Sequence, residues 1–299
     1  MKRIFLLLVL VGCFAGCHLI RHTPPQTINI MTFNIRYGTA NDGENRWELR
    51  KPILVECLQK YKPDILCTQE AMPMQIKDIH EHFPQWGVFG KGRYHDTPMP
   101  SRPHESMDGE SCRIFYDQSK YELLQDGTFW HSDTPDVPAS ATWGNNLPRI
   151  VTWGLFRTRQ GARTFMVMNT HFHWGELYVA QTTDLIMKKW RELAGDHPTL
   201  FAGDFNLAPT SPTHARFCGK TASGPDRSLR YFADAYETLN MPQTDMGTGH
   251  SFKGVLSQDR IDWILYTGEF TPKEITIIRD NVNGRYPSDH YPVLAMFRL

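Results

Sequence analysis

The sequence has no excess charge of either sign. Its 32 lysine and arginine residues balance 32 aspartate and glutamate residues, so the formal net charge at pH 7 is zero. Proteins that bind nucleic acid tightly and without sequence preference usually carry a basic excess or a basic stripe. The charge balance therefore argues against tight, non-specific nucleic-acid binding, although it leaves room for a local basic patch.

The chain also has few cysteines and no familiar zinc motif. No Cys-x-x-Cys or His-Glu-x-x-His pattern occurs, so zinc sites of those types are unsupported. Beyond the first 17 residues the cysteines are Cys57, Cys67, Cys112 and Cys218, without paired spacing. An even count permits disulfides in an exported protein, but Cys67 lies in an apolar run typical of a buried strand. We therefore expect buried free thiols.

The N-terminus has the pattern of an export signal. A basic start, residues 1–3, precedes the unbroken apolar run 4–11, which is too short to span a bilayer. The residues up to Cys13 resemble a bacterial lipobox, and those up to Cys17 resemble a second, weaker one. Leu10, three places before Cys13, fits the lipobox pattern better than Phe14, three places before Cys17. Cys17, however, gives the more usual length of apolar run before the cysteine. The alternative is a plain secretory signal that is cleaved nearby.

These features predict the domain organisation and the location. We expect a lipoprotein-type signal peptide over residues 1–17, lipidated at one of the two cysteines, and a short tether over 18–26. The motifs described below run through the rest of the chain with no linker between them, so residues 27–299 are expected to form one domain. The predicted protein is exported and anchored to a membrane of the cell envelope or periplasm.

Alternating and apolar runs predict a mixed α/β (α+β) fold. Strands are expected at residues 27–34, 65–68, 114–116, 121–124, 151–157, 164–169, 199–202, 261–266 and 293–297, and helices at 47–61, 73–83 and 177–193. Most neighbouring strands are joined by short turns, and the helices are interspersed irregularly. Two packed mixed β-sheets with helices outside fit this order better than a doubly wound parallel sheet.

Short polar sequences stand at the ends of these apolar runs. Glu70 comes after the predicted strand 65–68, and Asn34 is the last residue of the predicted strand 27–34. A single glutamate in such a place is usually a surface or capping residue. Carboxylates, amides and histidines brought from many strand ends to one place are, however, what a metal-assisted phosphoester cleavage site requires. Mg²⁺ in particular binds carboxylate and carbonyl oxygens.

Asp204 and Asn206 form the sharpest signal. They are two residues apart after a buried run, so their side chains point the same way if the segment stays extended. An aspartate there can orient or deprotonate a water, and the asparagine can donate to a phosphoryl oxygen. The alternative is an Asx turn, which is common for this pattern.

Two histidines and an arginine complete the candidate set. His171 and His290 each end or precede an apolar strand, and a histidine can stabilise charge on a phosphoryl group or protonate a leaving oxygen. Such an imidazole needs a carboxylate partner, and Glu110 and Asp262 are candidates. Arg149 could fork onto a phosphate, or it could form an ordinary surface salt bridge.

In this order the motifs resemble the endonuclease/exonuclease/phosphatase superfamily, which includes DNase I-like nucleases, sphingomyelinases and inositol polyphosphate phosphatases. The resemblance covers residues 27–299, and it implies a DNase I-like four-layer α/β sandwich. The motifs are Thr32-Phe33-Asn34, Thr68-Gln69-Glu70, Asn169-Thr170-His171, Gly203-Asp204-Phe205-Asn206, Arg260-Ile261-Asp262-Trp263 and Ser288-Asp289-His290.

The resemblance also implies roles for these residues. It implies dependence on Mg²⁺ or Mn²⁺, with Glu70 as the principal metal ligand and Asn34 and Asp289 near the metal. It further implies that Asp204 positions the attacking water, that Asn206 and Arg149 contact the phosphate, and that Glu110 pairs with His171 and Asp262 with His290.

Two departures from the family pattern affect the edge of the site. Arg36 stands where many members have an aspartate, and His173-Trp174 stands where many exported bacterial members read Asp-His. Trp174, Trp143 and Tyr286 could stack on a base or pack on a lipid or sugar, or they could simply pack within the protein.

The sequence therefore predicts a metal-dependent phosphoesterase. Its substrate, a phosphodiester or a phosphomonoester, could be a small molecule, a phospholipid headgroup or a nucleic acid. The alternatives are a nuclease acting on DNA or RNA and a non-catalytic binding protein with the same fold. No feature indicates a protein partner.

Overall fold

The architecture is taken from a computed structural model that describes residues 26–97, 108–175, 178–255 and 259–299. The predicted signal peptide (1–17), its lipidation at Cys13 or Cys17 and the predicted tether before Gln26 lie outside these ranges and stay predictions. None of the helices within these ranges is long and apolar enough to cross a membrane.

Twelve strands carry the described fold. They are β1 (Thr27–Asn34), β2 (Ile65–Gln69), β3 (Trp86–Phe89), β4 (Ile114–Asp117), β5 (Tyr121–Trp130), β6 (Ile150–Thr158), β7 (Thr164–His171), β8 (Thr199–Asp204), β9 (Ala233–Asp234), β10 (Asp262–Tyr266), β11 (Thr271–Ile277) and β12 (Val293–Arg298). They form two six-stranded sheets, in the orders β11-β12-β1-β2-β4-β3 and β5-β6-β7-β8-β10-β9. The pairs β1/β2 and β7/β8 are parallel and the other neighbouring strands are antiparallel, so both sheets are mixed.

The longer helices lie on the outer faces of the two sheets, whereas the shortest one packs against the core between them. The helices are α1 (Trp47–Tyr61), α2 (Pro73–His82), α3 (Val179–Ala194), α4 (Pro212–Phe217) and α5 (Ala235–Thr238). Pro73 occupies the first turn of α2, where its missing N–H is not needed. α1 ends at Lys62, whose left-handed backbone terminates the helix.

Three apolar cores separate four layers. The first lies between the sheets and includes Ile30 of β1, Phe165 of β7 and Phe297 of β12. The second lies between the β5–β10 sheet and helices α3 and α4, and the third lies between the β1–β4 sheet and helices α1 and α2. Each fully buried side chain of this kind contributes roughly 1.5–3 kcal/mol. The predicted arrangement of two packed mixed sheets flanked by helices is confirmed.

The topology brings many strand ends to one edge of the sandwich. In the parallel pairs, Asn34 lies opposite Gln69 and His171 lies opposite Asp204. The antiparallel strand β10 begins at this edge, with Asp262 opposite Asp204. Carboxyl ends of parallel strands and amino ends of antiparallel neighbours therefore meet, because strand direction alone decides which end faces that edge.

Several predicted boundaries were wrong. β5 runs on to Trp130 rather than ending at Leu124, and a bulge between Leu123 and Gln125 breaks the alternation on which the boundary was based. β7 and β8 continue through the polar residues His171 and Asp204, because backbone pairing does not end where apolar side chains end. The strands β3, β9 and β11 and the helices α4 and α5 were not predicted.

The predicted bounds of α1 are confirmed, and α3 begins at Val179, two residues later than expected. The position of the predicted start, Leu177, is outside the described residues. The four cysteines of the domain are free thiols, as expected, and Cys57, Cys67 and Cys112 are buried.

Candidate active site

Three residues at the edge of the sheets adopt a left-handed backbone. Arg36 follows β1 with φ 53°, Glu70 follows β2 with φ 59°, and Asn206 follows β8 with φ 53°. Residues other than glycine rarely adopt this conformation, and it costs of the order of 1 kcal/mol or more at each position. The strain turns the chain sharply at each strand end and keeps the polar side chains at the same edge.

Asn34 links the two sheets at the centre of the site. Its Nδ2 donates to Glu70 Oε1 at 3.1 Å and to Asp204 Oδ2 at 2.9 Å. The second carboxylate oxygen of Glu70 accepts from the backbone N–H of Tyr37 at 3.0 Å. Asn34 is buried and its Oδ1 accepts from Arg36 N, so the carboxylates of Glu70 and Asp204 are held on either side of one rigid amide.

Asn206 connects Asp204 to His171. The backbone N–H of Asn206 donates to Asp204 Oδ1 at 2.9 Å, and its side-chain Nδ2 lies 3.0 Å from His171 Nε2. The same Nδ2 donates to the carbonyl of Phe172 at 3.0 Å, which sets the orientation of the amide. His171 Nε2 must then accept, so this imidazole is neutral and carries its proton on Nδ1. The Asx turn between Asp204 and Asn206 is therefore present, and the functional roles of the two residues stay predictions.

His290 and Asp262 form a dyad. His290 Nδ1 lies 3.0 Å from Asp262 Oδ2, and His290 Nε2 lies 3.8 Å from Asp204 Oδ2. Burial alone would lower the pKa of His290, but the carboxylates of Asp262 and Asp204 outweigh it and raise the pKa well above the usual value. His290 is therefore an imidazolium near neutral pH, and its Nδ1–H donates to Asp262.

The two histidines of the site differ in charge. Burial and the nearby Arg149 cation lower the pKa of His171 well below its usual value, which agrees with the acceptor role of its Nε2. Burial and the neighbouring Asp262 carboxylate raise the pKa of Asp204 to about 7. The site thus combines one cationic histidine, one neutral histidine and a carboxylate that holds protons more tightly than usual.

Asp289 lies beside Arg36 on the other side of the site. The two are 3.9 Å apart, while Arg36 makes a two-pronged ion pair with Asp42 through contacts of 3.0 Å. Ser288 Oγ donates to the carbonyl of Asn34 at 2.7 Å and lies 3.2 Å from Asp289 Oδ1. The serine therefore ties the Asp289 segment to the end of β1.

Glu110 and Arg149 line a pocket together with Glu70 and His171. Glu110 makes an ion pair of 2.6 Å with Arg93. His171 contacts Asn206 and Asp204, and it lines the same pocket as Glu110. Their pairing stays a prediction.

The aromatic residues singled out in the sequence have different surroundings. Trp174 is 72% exposed, close in the chain to His171. Trp143 donates its indole N–H to Asp133 Oδ1 at 2.7 Å. Tyr286 packs edge-on against His250, with ring centroids 4.6 Å apart. Of the three, only Trp174 is largely open to solvent.

Arg50 on α1 is a scaffold residue that the sequence pattern did not reveal. It is buried, and its guanidinium donates to the carbonyls of Ile35 at 2.5 Å, Arg36 at 2.6 Å and Pro287 at 3.1 Å. Burial lowers its pKa to about 10, so it stays charged. It joins the segment after Asn34 to the segment before Asp289. Arginine at an interior helix position is the only sequence signal for it.

The donor set at this edge fits a hard divalent cation. Glu70, Asp289, Asp204 and Asp262 present carboxylate oxygens. Asn34 turns its Nδ2 toward Glu70 and Asp204 and its Oδ1 toward Arg36 N, so its oxygen would bind a metal beside Glu70 only after the amide turned over. Within the part of the chain that the structure describes, the buried Asp262 Oδ1 has no hydrogen-bond partner. Asp204, Asp262 and His290 also bring ligand atoms within 4.8 Å of one another. Hard cations such as Mg²⁺ and Mn²⁺ prefer such oxygen-rich sets.

Comparison with known proteins gives consistent matches. The model of the endonuclease/exonuclease/phosphatase family matches residues 31–290. A family protein of known structure from Bacteroides thetaiotaomicron is 29% identical, with a TM-score of 0.78 over 92% of this chain and 98% of that one. A mannosyl-6-phosphatase from the same species is also 29% identical, with a TM-score of 0.76 over 90% of this chain and 99% of that one.

A curated relative is longer than this chain. The CCR4-Not complex 3'-5'-exoribonuclease subunit Ccr4 of Mycosarcoma maydis is 23% identical over 92% of this chain and 51% of its own length. The chain thus spans about half the length of this relative.

Proposed function

The chain belongs to the endonuclease/exonuclease/phosphatase family, and from this premise we propose that it is a divalent-metal-dependent phosphoesterase acting on a small phosphoester. The observation that carries the proposal is the position of Asp204. Its Oδ2 accepts from Asn34, which also holds Glu70, and lies 3.8 Å from the cationic His290. The carboxylate of Asp204 thus shares the Asn34 amide with a metal-ligand candidate and lies close to a cation.

Asp204 is the proposed base. It accepts a proton from a water, whose oxygen forms a bond to phosphorus in line with the leaving oxygen as the bond from phosphorus to that oxygen breaks. The raised pKa of Asp204 supports this role, because a carboxylate with a pKa of about 7 takes a proton more readily than an ordinary one. Asn34 and the backbone of Asn206 orient the two carboxylate oxygens.

His290 stabilises the charge that develops on the phosphoryl oxygens. It is an imidazolium whose Nδ1 is anchored by Asp262, so its Nε2–H is free to donate toward the centre of the site. His171 is neutral and serves a different purpose. By accepting from Asn206 it orients the amide proposed to contact the phosphate, and that contact requires Asn206 to exchange one of its present hydrogen bonds.

Glu70, Asn34 and Asp289 would hold the metal ion. Glu70 is the principal ligand in the proposal, and Mg²⁺ or Mn²⁺ is the expected ion. When bound, the ion would supply positive charge that polarises the phosphoryl group.

A small phosphoester fits the chain better than a nucleic acid. The formal net charge of zero supplies no general attraction for a polyanion. The likeness to the mannosyl-6-phosphatase extends over 99% of that chain, whereas the likeness to Ccr4 extends over 51% of the relative. The Ccr4 likeness nevertheless supports a second candidate function, the cleavage of RNA. A steep fall of activity with rising salt would favour it.

Export and membrane anchoring are proposed from the N-terminal sequence alone. The basic start, the apolar run and the two candidate lipidation sites Cys13 and Cys17 support them. Replacement of each cysteine by serine, followed by membrane fractionation and mass measurement, tests the anchor. If both single variants and the double variant partition as the natural chain does, the lipid anchor is wrong.

The enzymatic proposal is tested by hydrolysis with the purified full chain. The substrates are mannose 6-phosphate, p-nitrophenyl phosphate, bis-p-nitrophenyl phosphate, sphingomyelin, RNA and plasmid DNA, each with Mg²⁺, with Mn²⁺ and with EDTA. We expect metal-dependent cleavage of a small phosphoester that Asp204→Asn and His290→Asn abolish. Asp184→Asn on α3, where the aspartate pairs with Arg216, is the matched control and should keep full activity.

Metal binding is measured on the same proteins by thermal shift. Stabilisation by Mg²⁺ or Mn²⁺ in the low-millimolar range should be lost in Glu70→Gln. A folded protein that neither binds metal nor cleaves any substrate would contradict the enzymatic proposal and favour a binding protein.

A further inference from the structure

Two guanidinium groups share the pocket that lies between the candidate metal ligand and the neutral histidine. Arg93 and Arg149 line it with Glu70 and His171. Arg93 is 5% exposed although it carries a full charge. Burying two cations in one small pocket is unfavourable unless an anion balances them.

Glu110 balances one of the two charges. Its Oε1 accepts from Arg93 Nη2 at 2.6 Å, and its backbone carbonyl accepts from the backbone N–H of Arg93 at 2.9 Å. The lining also contains Glu70, so its two arginines and two carboxylates balance. Glu70 is the proposed metal ligand, and a cation bound to it would leave the pocket with an excess of positive charge.

Each of the two arginines has a side-chain N–H that donates no hydrogen bond within the described residues. In the described ranges, the buried Nε atoms of Arg93 and Arg149 have no hydrogen-bond partner. A buried N–H without an acceptor costs roughly 1–3 kcal/mol, so such atoms usually mark a place where a ligand or a water accepts. Two such donors on one pocket point to an anion with several free oxygens.

An apolar wall closes the pocket behind the arginines. Cys112, Trp130 and Ile150 form a small buried cluster, and Cys112 and Ile150 also line the pocket. The indole N–H of Trp130 donates to the carbonyl of Arg93 at 2.8 Å, which fixes the arginine against this wall. A second ester chain on the phosphorus that pointed toward the arginines would meet the wall.

We propose that Arg93, together with Arg149, binds the unesterified oxygens of a terminal phosphate and makes the enzyme select phosphomonoesters over phosphodiesters. A phosphomonoester has three unesterified oxygens and a charge close to −2 near neutral pH, whereas a diester has two such oxygens and a charge of −1. The two buried cations, the unpaired donors and the closed wall all favour the monoester. This inference rests on the proposed phosphoesterase function.

The test compares a monoester with a diester that has the same leaving group. We would measure kcat/KM of the full chain with p-nitrophenyl phosphate and with bis-p-nitrophenyl phosphate at fixed Mg²⁺ or Mn²⁺. The natural chain should prefer the monoester, and Arg93→Met should lower the ratio of the two kcat/KM values roughly 10-fold or more, the usual effect of one charge-assisted hydrogen bond. Arg93→Lys keeps the charge but loses the two-pronged guanidinium, so its ratio of kcat/KM values should lie between those of the natural chain and Arg93→Met.

Arg157→Met is the matched control. Arg157 is an arginine of β6 that pairs with Glu122 on the protein surface at 2.7 Å, and its replacement should leave both activities unchanged. Thermal melts of every variant show whether a loss of activity reflects unfolding. A natural chain that prefers the diester, or an Arg93→Met variant that loses both activities equally while folded, would overturn the inference.

Binding of inorganic phosphate separates this inference from the proposed function. Phosphate should raise the melting temperature of the natural chain. Arg93→Met should need at least about 10-fold more phosphate for the same increase. If the natural chain cleaves nothing but shows this difference, the phosphoesterase proposal fails and the arginine site stands. If phosphate stabilises both proteins equally, the arginine site is wrong, whatever the activity.

Discussion

Gln69 and Asn169 join the two β-sheets by a hydrogen bond directly beneath the candidate active site. Gln69 Nε2 donates to Asn169 Oδ1 at 2.7 Å, and both side chains are fully buried. Gln69 precedes Glu70, and Asn169 stands two residues before His171. Gln69 also donates to Thr32 Oγ1, so the amide pair sets the spacing of the strands that carry the candidate metal ligand and the neutral histidine.

We predict that Gln69→Leu lowers the stability of the protein and weakens metal binding together with it. The change leaves the buried acceptors of Thr32 and Asn169 without their donor, at a cost of about 2 kcal/mol or more. Urea unfolding and Mg²⁺-dependent thermal shifts measure both effects. Gln125→Leu on the exposed part of β5 is the matched control. Equal stabilities of the two variants would contradict the role given to the bridge.

We predict that Arg50→Met disorganises the metal-ligand segments. Its guanidinium holds three carbonyls on both sides of the site, and hydrogen bonds to charged groups are each worth about 1.5–3 kcal/mol. The variant should unfold at a lower temperature and should need a higher concentration of Mg²⁺ for the same stabilisation. Arg46→Met, at the exposed residue just before α1, serves as control. A variant with natural stability and metal response would show that the clamp is dispensable.

We predict that Asp262→Asn lowers kcat at least about 100-fold with little change in fold, because an uncharged partner no longer favours the cationic form of His290. Residues that act as a unit are not additive, so the double variant with His290→Asn should be little worse than either single variant. Steady-state kinetics of the three variants decide this. Additive losses would mean that the two residues act separately.

We predict that His131 makes the protein less stable as the pH falls below neutrality. Burial and the Arg149 cation lower its pKa from 6.5 to about 3 in the folded state. Between those values the unfolded chain binds a proton that the folded chain does not, so stability is complete above about pH 6.5 and falls with decreasing pH by about 1.4 kcal/mol per unit for this group.

The measurement is urea unfolding at pH 7.5, 6.5 and 5.5. His131→Phe keeps a ring against Phe172, which the histidine contacts edge-on at 5.3 Å, and it removes the titrating group. Its stability should fall less steeply with pH than that of the natural chain. Parallel curves for the two proteins would show that His131 does not contribute to the slope.

The strands that carry the candidate site could be located from the sequence, and the bounds of β1 were predicted correctly, whereas the ends of β7 and β8 were not. An apolar run such as that before Glu70 marks a buried strand because burial and side-chain hydrophobicity go together. His171 and Asp204 were placed after their strands, yet both lie within them, because the pairing of backbones at the sheet centre continues under polar side chains. β11 has its interior charged residues Lys273 and Glu274 exposed and gives a weaker apolar signal.

The contacts between motif residues lay further from the reach of the sequence. The partner of His290 was anticipated as Asp262, and the two are 3.0 Å apart. Glu110 makes an ion pair with Arg93, a residue that no motif contained, and its pairing with His171 stays a prediction. Which of several carboxylates faces a given cation depends on loop paths, and spacing along the chain does not encode those paths.

The class of the fold and the residue types of the site motifs could be predicted from the sequence, because hydrophobic periodicity and residue type are local properties. The charges of the two histidines and the hydrogen bonds between the sheets followed from the folded arrangement. It made His290 cationic and His171 neutral, joined the sheets through Gln69 and Asn169, and placed Arg93 beside Glu70. The physical reason is that burial and the distance between charges depend on packing, which brings together residues far apart in the chain.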